Sequence, residues 1–422
     1  MLAALAFGFS GCSTGTLCVL DSGGELLAEL TSQELSEQSI YIRLAVEDAA
    51  KLLAESKGWD TAKAQKKLWS GNYTVCTAYV PQVQQAVEQM AAGYAGVNVA
   101  CAVTDLEGHL VAVAGEYATM KLAPYSSFKP LAVYGPALEK GLIHYSTSYL
   151  DGPVKQMTDE TGQTSDWPAN ATGTYRNKDV SVADAIRESL NTVAVRCMQD
   201  LGVTQSLAFM KERFGLELPF EENRLASLGE EEIFGNVALG FLTDGVTPVE
   251  MAGYYQCFAT LGKYTQPSTV TALLDQKGET VCAYEPEAQQ ALSETTADLM
   301  NRLLQNVTSP AGTGAAAGNA QFPVAGKTGT GAGGNWFIGV TPEYSCAVWH
   351  GKELTSNTAA KMFKEAVTAF PSEGLKNFPK SEGIVERIFC TESGKVITEN
   401  CTRIQLGYFT GDTIPDKCDL HP

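Results

Sequence analysis

The chain has 422 residues, 44% of them hydrophobic and 18% charged, which is enough apolar content for one large domain or two ordinary ones. A formal charge of −18 argues against non-specific binding to nucleic acid or to an anionic membrane surface. The 11 cysteines are thinly spread, which excludes a small disulfide scaffold, and their odd number leaves at least one unpaired.

The opening run MLAALAFGFSGCS is apolar, lacks a basic leader and is too short to span a bilayer. Its FSGC, ending at Cys12, loosely matches a lipoprotein processing box, with Phe9 at the usual leucine position. A start from which a membrane anchor is missing is the competing expectation. Helical spacing over SIYIRLAVEDAAKLLAESKG makes residues 1–70 an N-terminal segment and helical linker. From Tyr73 a β-like run precedes a helical pattern over VPQVQQAVEQMAAGYAG. The stretch VNVACAVTDLEGHLVAVAG then predicts a hairpin with Gly108 in its turn. A helix opens near Ser126, and VSVADAIRESLNTVAVRCMQDLG predicts another that stops at Gly202. Three late strands, PVAGKTGT, NWFIGVTP and EYSCAVWHG, precede a helix over NTAAKMFKEAVTAF. Strands early and late with helices between them predict an α+β domain over residues 71–375, its sheet built from both ends and covered by helices. Residues 376–422 read as a loop-like, cysteine-containing tail. There, Cys390, Cys401, Cys418 and His421 could in principle hold zinc. The intervals are wide and no C-x-x-C pair occurs, so a disulfide or free thiols is the expectation and no metal site is assigned.

Three short motifs carry candidate chemistry. In Ser126-Ser127-Phe128-Lys129 the first serine and the lysine are three apart, on one face of a helix, while Ser127 points elsewhere. A serine hydroxyl needs a neighbouring base to become a nucleophile. Lysine can be that base only when burial or a nearby cation keeps its amine neutral. Read alone, Ser126 is as well explained as a helix cap and Lys129 as a solvated side chain. Ser189-Leu190-Asn191 places a hydroxyl and an amide where both could reach a cleft, the first relaying a proton and the second holding a substrate carbonyl. Lys327-Thr328-Gly329-Thr330 sits on a strand bared by Gly326 and Gly329, which suits close approach of an extended substrate ending in a carboxylate.

In this order the three motifs match the S-x-x-K, S-D-N and K-T-G set of the penicillin-recognising serine acyltransferases, with Leu190 at the aspartate position. SGNYTVCTAYVPQVQQAVEQM, GVTPVEMAGYYQCFATLGKY and GTGAAAGNAQFPVAGKTGT further resemble the transpeptidase domain of class A, bifunctional penicillin-binding proteins. The likeness runs over roughly residues 40–422. It implies a penicillin-binding/β-lactamase-like fold, an α/β sandwich whose antiparallel sheet is covered by helices and joined by an all-helical subdomain. The first 40 residues are too few for the glycosyltransferase half of such proteins. The chain departs from the family at Tyr125, where glycine is usual, and at Asn335, where an aspartate often precedes the tryptophan.

Carried over, Ser126 is the nucleophile, Lys129 its base, Ser189 a proton shuttle and Asn191 a contact to the donor peptide's amide. Lys327 would attract the terminal carboxylate and help keep Lys129 neutral. Thr328, Gly329 and Thr330 line the substrate strand, and the N–H groups of Ser126 and Thr330 form the oxyanion hole. The implied reaction is D,D-transpeptidation of peptidoglycan stem peptides, with β-lactams acylating the same serine. The implied place is the extracytoplasmic face of the bacterial membrane, in the company of a glycosyltransferase partner. A carboxypeptidase or β-lactamase of the same family and a silent cell-wall sensor are the alternatives. No cofactor is implied.

Overall fold

The computed structural model describes residues 13, 15–158, 161–218, 230–372, 374 and 377–422. The processing-box reading at Cys12 lies outside them. The strands Ala325–Gly331, Gly334–Val340, Tyr344–His350, Val99–Asp105 and Leu110–Ala114 lie side by side in that order as one sheet. Every neighbouring pair is antiparallel. The sheet therefore joins the early hairpin to the three late strands, as expected, and leaves Ala325–Gly331 as a free edge.

Both faces are apolar, and strand alternation divides the residues between them. Cys101, Val103, Phe337 and Val348 pack with Val87 and Met90 of helix Pro81–Ala92 and Phe363 of helix Thr358–Thr368. Ala100, Ala102, Trp336 and Ile338 face the other way, towards Met251 of helix Pro248–Tyr255 and Leu303 of helix Glu294–Thr308. A one-residue slip would exchange these two sets, so the two cores lock the register.

Three departures from the sequence reading follow from long-range contacts. The element opening at Ser126 is a 3₁₀ turn at Tyr125–Phe128, a π turn at Pro130–Tyr134 and a short α-helix at Gly135–Glu139. Pro136 has no N–H to continue the ladder, and Gly135 donates to Pro130 O instead. The pattern running to Gly202 is two helices, Val182–Glu188 and Asn191–Leu201, separated where Ser189 adopts φ +60°. The tail is not loop-like. Its strands Ile384–Cys390 and Ile404–Thr410 form an antiparallel hairpin.

The helical reading of the first 70 residues holds for Ile40–Lys57 and Thr61–Ser70. Ahead of them, Leu17–Leu20 and Leu26–Leu30 are strands in a second sheet, beside Thr74–Thr77, Val270–Leu274 and Thr280–Ala283. LCVL pairs antiparallel with LLAEL as a local hairpin across DSGGE, a signal the sequence reading passed over, and it also pairs in parallel with TVCT across the two helices.

Candidate active site

The backbone around Ser126 is fixed from four directions. Leu122 and Val246 exchange N–H···O bonds at 3.0 and 2.9 Å, Tyr125 N–H donates to Gly240 O at 2.9 Å, and the Trp336 indole donates to Ala123 O at 2.9 Å. The Tyr255 hydroxyl donates to Ser127 O at 2.5 Å. On this frame the two serines separate. Ser127 is fully buried and donates to Pro124 O at 2.6 Å. Ser126 is half-buried and lines a cleft of about 520 Å³ together with Ser189, Asn191, Thr328 and Thr330.

The edge strand presses directly against this turn. A Cβ at Gly329 would lie 2.4 Å from Pro124 O, and one at Gly331 would lie 2.2 Å from the Tyr125 ring. The glycines that bare this strand therefore admit another backbone, and the substrate face is left to Thr328 and Thr330. Tyr125 itself sits at φ +50°, where glycine is unstrained and a tyrosine is not. Its hydroxyl accepts from Gly333 N–H at 2.8 Å, and its ring meets Phe241 edge-on at 5.5 Å. These contacts offset part of the backbone strain.

Lys129 is 1% exposed. Its Nζ donates to Asn191 Oδ1 at 2.7 Å and Ser189 O at 3.1 Å, with Leu190 O farther away at 3.5 Å. Among the described residues no hydrogen bond joins it to Ser126 Oγ. Burial, helped by the charge of Lys327, pushes its amine well below the ordinary lysine range. A neutral amine has two N–H donors for the two short bonds and keeps one lone pair free.

Lys327 is fully buried, and burial lowers it from 10.5 to about 7. Its Nζ donates to Ser189 Oγ at 2.8 Å, Thr328 O at 3.1 Å and Thr328 Oγ1 at 3.4 Å. All three of its N–H directions are thus taken inside the protein, and Ser189, Thr328 and Thr330 line the cleft where Lys327 itself does not. Ser189 occupies the corner between the two helices in its left-handed conformation. That corner turns its hydroxyl to Lys327 and its carbonyl to Lys129.

The sequence reading missed the group that orients Asn191. Asp151, 1% exposed, accepts from Asn170 Nδ2 and Thr192 Oγ1, both at 2.7 Å, and from Arg176 N–H at 3.0 Å. Asn170 Oδ1 in turn accepts from Asn191 N–H at 2.9 Å, and Asn191 Nδ2 donates to Ala169 O at 2.7 Å. Nothing in the spacing of Asp151, Asn170 and Asn191 marks them as partners. The only available signal is that WPAN and SLN are each polar breaks beside apolar runs. Asn191 therefore enters the site with both ends of its amide already engaged, its oxygen on Lys129.

A family model described as "Penicillin binding protein transpeptidase domain" matches residues 90–368. The chain is 32% identical over 306 residues to penicillin-binding protein 1F of Bacillus subtilis, covering 68% of this chain and 40% of that protein. It is 30% identical over 327 residues to penicillin-binding protein 1A of Clostridium tetani, covering 71% of this chain and 40% of that one. The chain thus spans well under half the length of these curated relatives. Among solved structures, the D,D-transpeptidase domain of a peptidoglycan glycosyltransferase from Eggerthella lenta superposes with a TM-score of 0.64 at 20% identity, covering 85% of this chain and 98% of that one. Penicillin-binding protein 1A from Haemophilus influenzae gives a TM-score of 0.70 at 15% identity, covering 93% of this chain and 78% of that one. At these identities the structural likeness shows the fold.

Proposed function

The chain belongs to the penicillin-binding protein transpeptidase family, and we propose that it is a D,D-transpeptidase that cross-links peptidoglycan stem peptides through an acyl-enzyme on Ser126. The observation that carries this reading is the cleft, where Ser126 opens beside Ser189 and Asn191, and these two are hydrogen-bonded to two buried lysines held below their ordinary range. A solvated ion-pair surface would leave both lysines fully charged.

In the proposed reaction the Lys129 amine takes the Ser126 proton as Oγ attacks the carbonyl of the penultimate D-Ala. The C–O bond forms, and the oxygen becomes an anion facing the N–H groups of Ser126 and Thr330. Ser126 lies in the first turn of its helix, where no carbonyl one turn earlier is available to its N–H. The C–N bond then breaks, and the departing amine of D-Ala receives a proton through Ser189. The Ser189 hydroxyl is replenished from Lys327, 2.8 Å away. An amine from a neighbouring stem repeats the sequence in reverse, forming the cross-link and returning the proton to Ser126. The substrate carboxylate meets the Thr328 and Thr330 hydroxyls, with the Lys327 charge acting from behind them, because Lys327 has no N–H left to offer directly. The edge position of Ala325–Gly331 suits an extended peptide that adds to the sheet.

A β-lactam enters by the same attack and stays, since its leaving amine remains tethered. The curated relatives are named as penicillin-binding proteins, so we place the activity outside the cytoplasmic membrane, with a glycosyltransferase supplying the glycan strands. The test is covalent labelling by fluorescent penicillin. Ser126→Ala abolishes labelling, whereas Ser127→Ala keeps it and loses about 1 kcal/mol of stability with its buried hydrogen bond. Labelling that persists in Ser126→Ala refutes the assignment. Rapid release of the acyl group would identify a β-lactamase instead.

A further inference from the structure

The C-terminal hairpin is a small element with little core of its own. Its buried apolar residues are few, chiefly Phe389 and Phe409, which meet Tyr145 edge-on at 6.4 Å each. The Ser146 hydroxyl ties the hairpin down by donating to Gly394 O. Two strands with so little burial are marginal in water and ordinarily carry a cross-link or a metal.

At its far end three backbone segments converge. Cys390 closes the strand Ile384–Cys390, and its N–H and carbonyl are bonded to Lys395 O and Gly394 N–H, both at 2.8 Å. Cys401 sits in a turn closed by its own N–H on Thr398 O at 3.3 Å. Cys418 is held by its N–H on Val396 O at 2.7 Å, and Val396 N–H reaches Asp416 O at 2.9 Å. The three sulfurs and a ring nitrogen of His421 all lie within 4.8 Å of one another. His421 Nδ1 is 3.5 Å from Cys390 Sγ and 3.5 Å from Cys418 Sγ.

We propose that Cys390, Cys401, Cys418 and His421 form a structural zinc site that fastens the C-terminal hairpin. Tetrahedral zinc with Zn–S of about 2.3 Å and Zn–N of about 2.0 Å has ligand–ligand edges of about 3.5–3.8 Å. The two nitrogen–sulfur separations already match such an edge. The imidazole is also presented as zinc ligands usually are. Glu392 Oε2 lies 3.1 Å from His421 Nε2, and this fixes the tautomer that leaves the Nδ1 lone pair facing the sulfurs. Glu392 is steadied in turn by Arg403 Nη1, 3.6 Å from its other oxygen. Two sulfurs receive donors suited to thiolates, Thr398 N–H to Cys401 at 3.4 Å and Ser393 Oγ to Cys418 at 3.2 Å. Three sulfurs and one nitrogen fill the coordination sphere, so no position remains for water or substrate and the role is structural. Binding one Zn²⁺ with all three thiols as thiolates releases three protons and needs no oxidant or reductant. The wide sequence intervals that argued against a metal disappear in the fold, because the hairpin returns each segment to one end.

The test uses the full chain, reduced, exposed to zinc and desalted. About one zinc per chain is expected by elemental analysis. Replacing zinc with cobalt should give the intense visible bands of tetrahedral thiolate coordination. Cys418→Ser should lose the metal, while Glu392→Gln should keep the fold and bind zinc about 10–100-fold more weakly. Penicillin labelling of Ser126 in the same samples reports separately on the catalytic domain. The proposal is overturned if the reduced chain retains no zinc. It is also overturned if the native chain carries a disulfide between two of Cys390, Cys401 and Cys418, seen by peptide mass spectrometry.

Discussion

Replacing Lys327 with methionine should stabilise the protein at neutral pH while ending its acylation. Burial lowers this lysine from 10.5 to about 7. At about 1.4 kcal/mol per pH unit, keeping it charged inside the folded chain costs roughly 5 kcal/mol below pH 7. Methionine fills similar space and removes that cost, but it forfeits the bonds to Ser189 Oγ and Thr328 O. Those two contribute about 1 kcal/mol each. The net gain is therefore roughly 3 kcal/mol below pH 7. The sign of the pH dependence follows from the lowered value. The unfolded chain binds the proton more tightly than the folded one, so the penalty is complete below about pH 7 and fades as pH rises towards 10.5. The advantage of Lys327→Met should shrink with pH and vanish near pH 9, at about 1.4 kcal/mol per unit. Urea denaturation of both proteins at pH 6.5, 8 and 9.5 measures this, with fluorescent penicillin reporting acylation. A variant less stable than its parent at pH 6.5, or a stability difference that does not change with pH, refutes the argument that this lysine is held at the expense of stability.

Two further substitutions probe the frame around the site. Asp151→Asn puts an amide donor against Asn170, Thr192 or the Arg176 N–H. The expected cost is about 1–3 kcal/mol, with acylation slowed roughly tenfold as Asn191 loosens; unchanged stability and labelling would remove Asp151 from the network. Tyr125→Phe removes the acceptor for Gly333 N–H and keeps the ring. It should cost about 1 kcal/mol in a melt and leave labelling near the parent rate. A loss of labelling would mean that the hydroxyl acts in the chemistry and not in the frame.

How much of this could be read from the sequence depends on how far apart the interacting residues are. The hairpin around Gly108, the three late strands and the helix after them announce themselves through periods of 2 and 3.6 within single windows. The preference for Ser126 over Ser127 in the sequence reading is local as well, since it rests on a spacing of three along one helical turn. The motif set made the family legible, and the family model over residues 90–368 agrees with it.

What only the tertiary structure decided is everything set by groups distant in sequence. LCVL becomes an inner strand because TVCT, far along the chain, lies beside it in parallel, whereas its hairpin with LLAEL is local. Ser189 takes its left-handed turn because the two helices diverge there, and this one residue serves both lysines. Lys129 and Lys327 look like any surface lysines in the sequence. Their lowered proton affinity comes from burial among residues up to hundreds of positions away. The Cys390, Cys401, Cys418 and His421 cluster is the same case in the tail, where wide spacing led to the expectation of a disulfide or free thiols and the hairpin gathers the four within 4.8 Å. Local periodicity fixes which face of an element is apolar, whereas desolvation and ligand geometry depend on what the rest of the chain brings to that face.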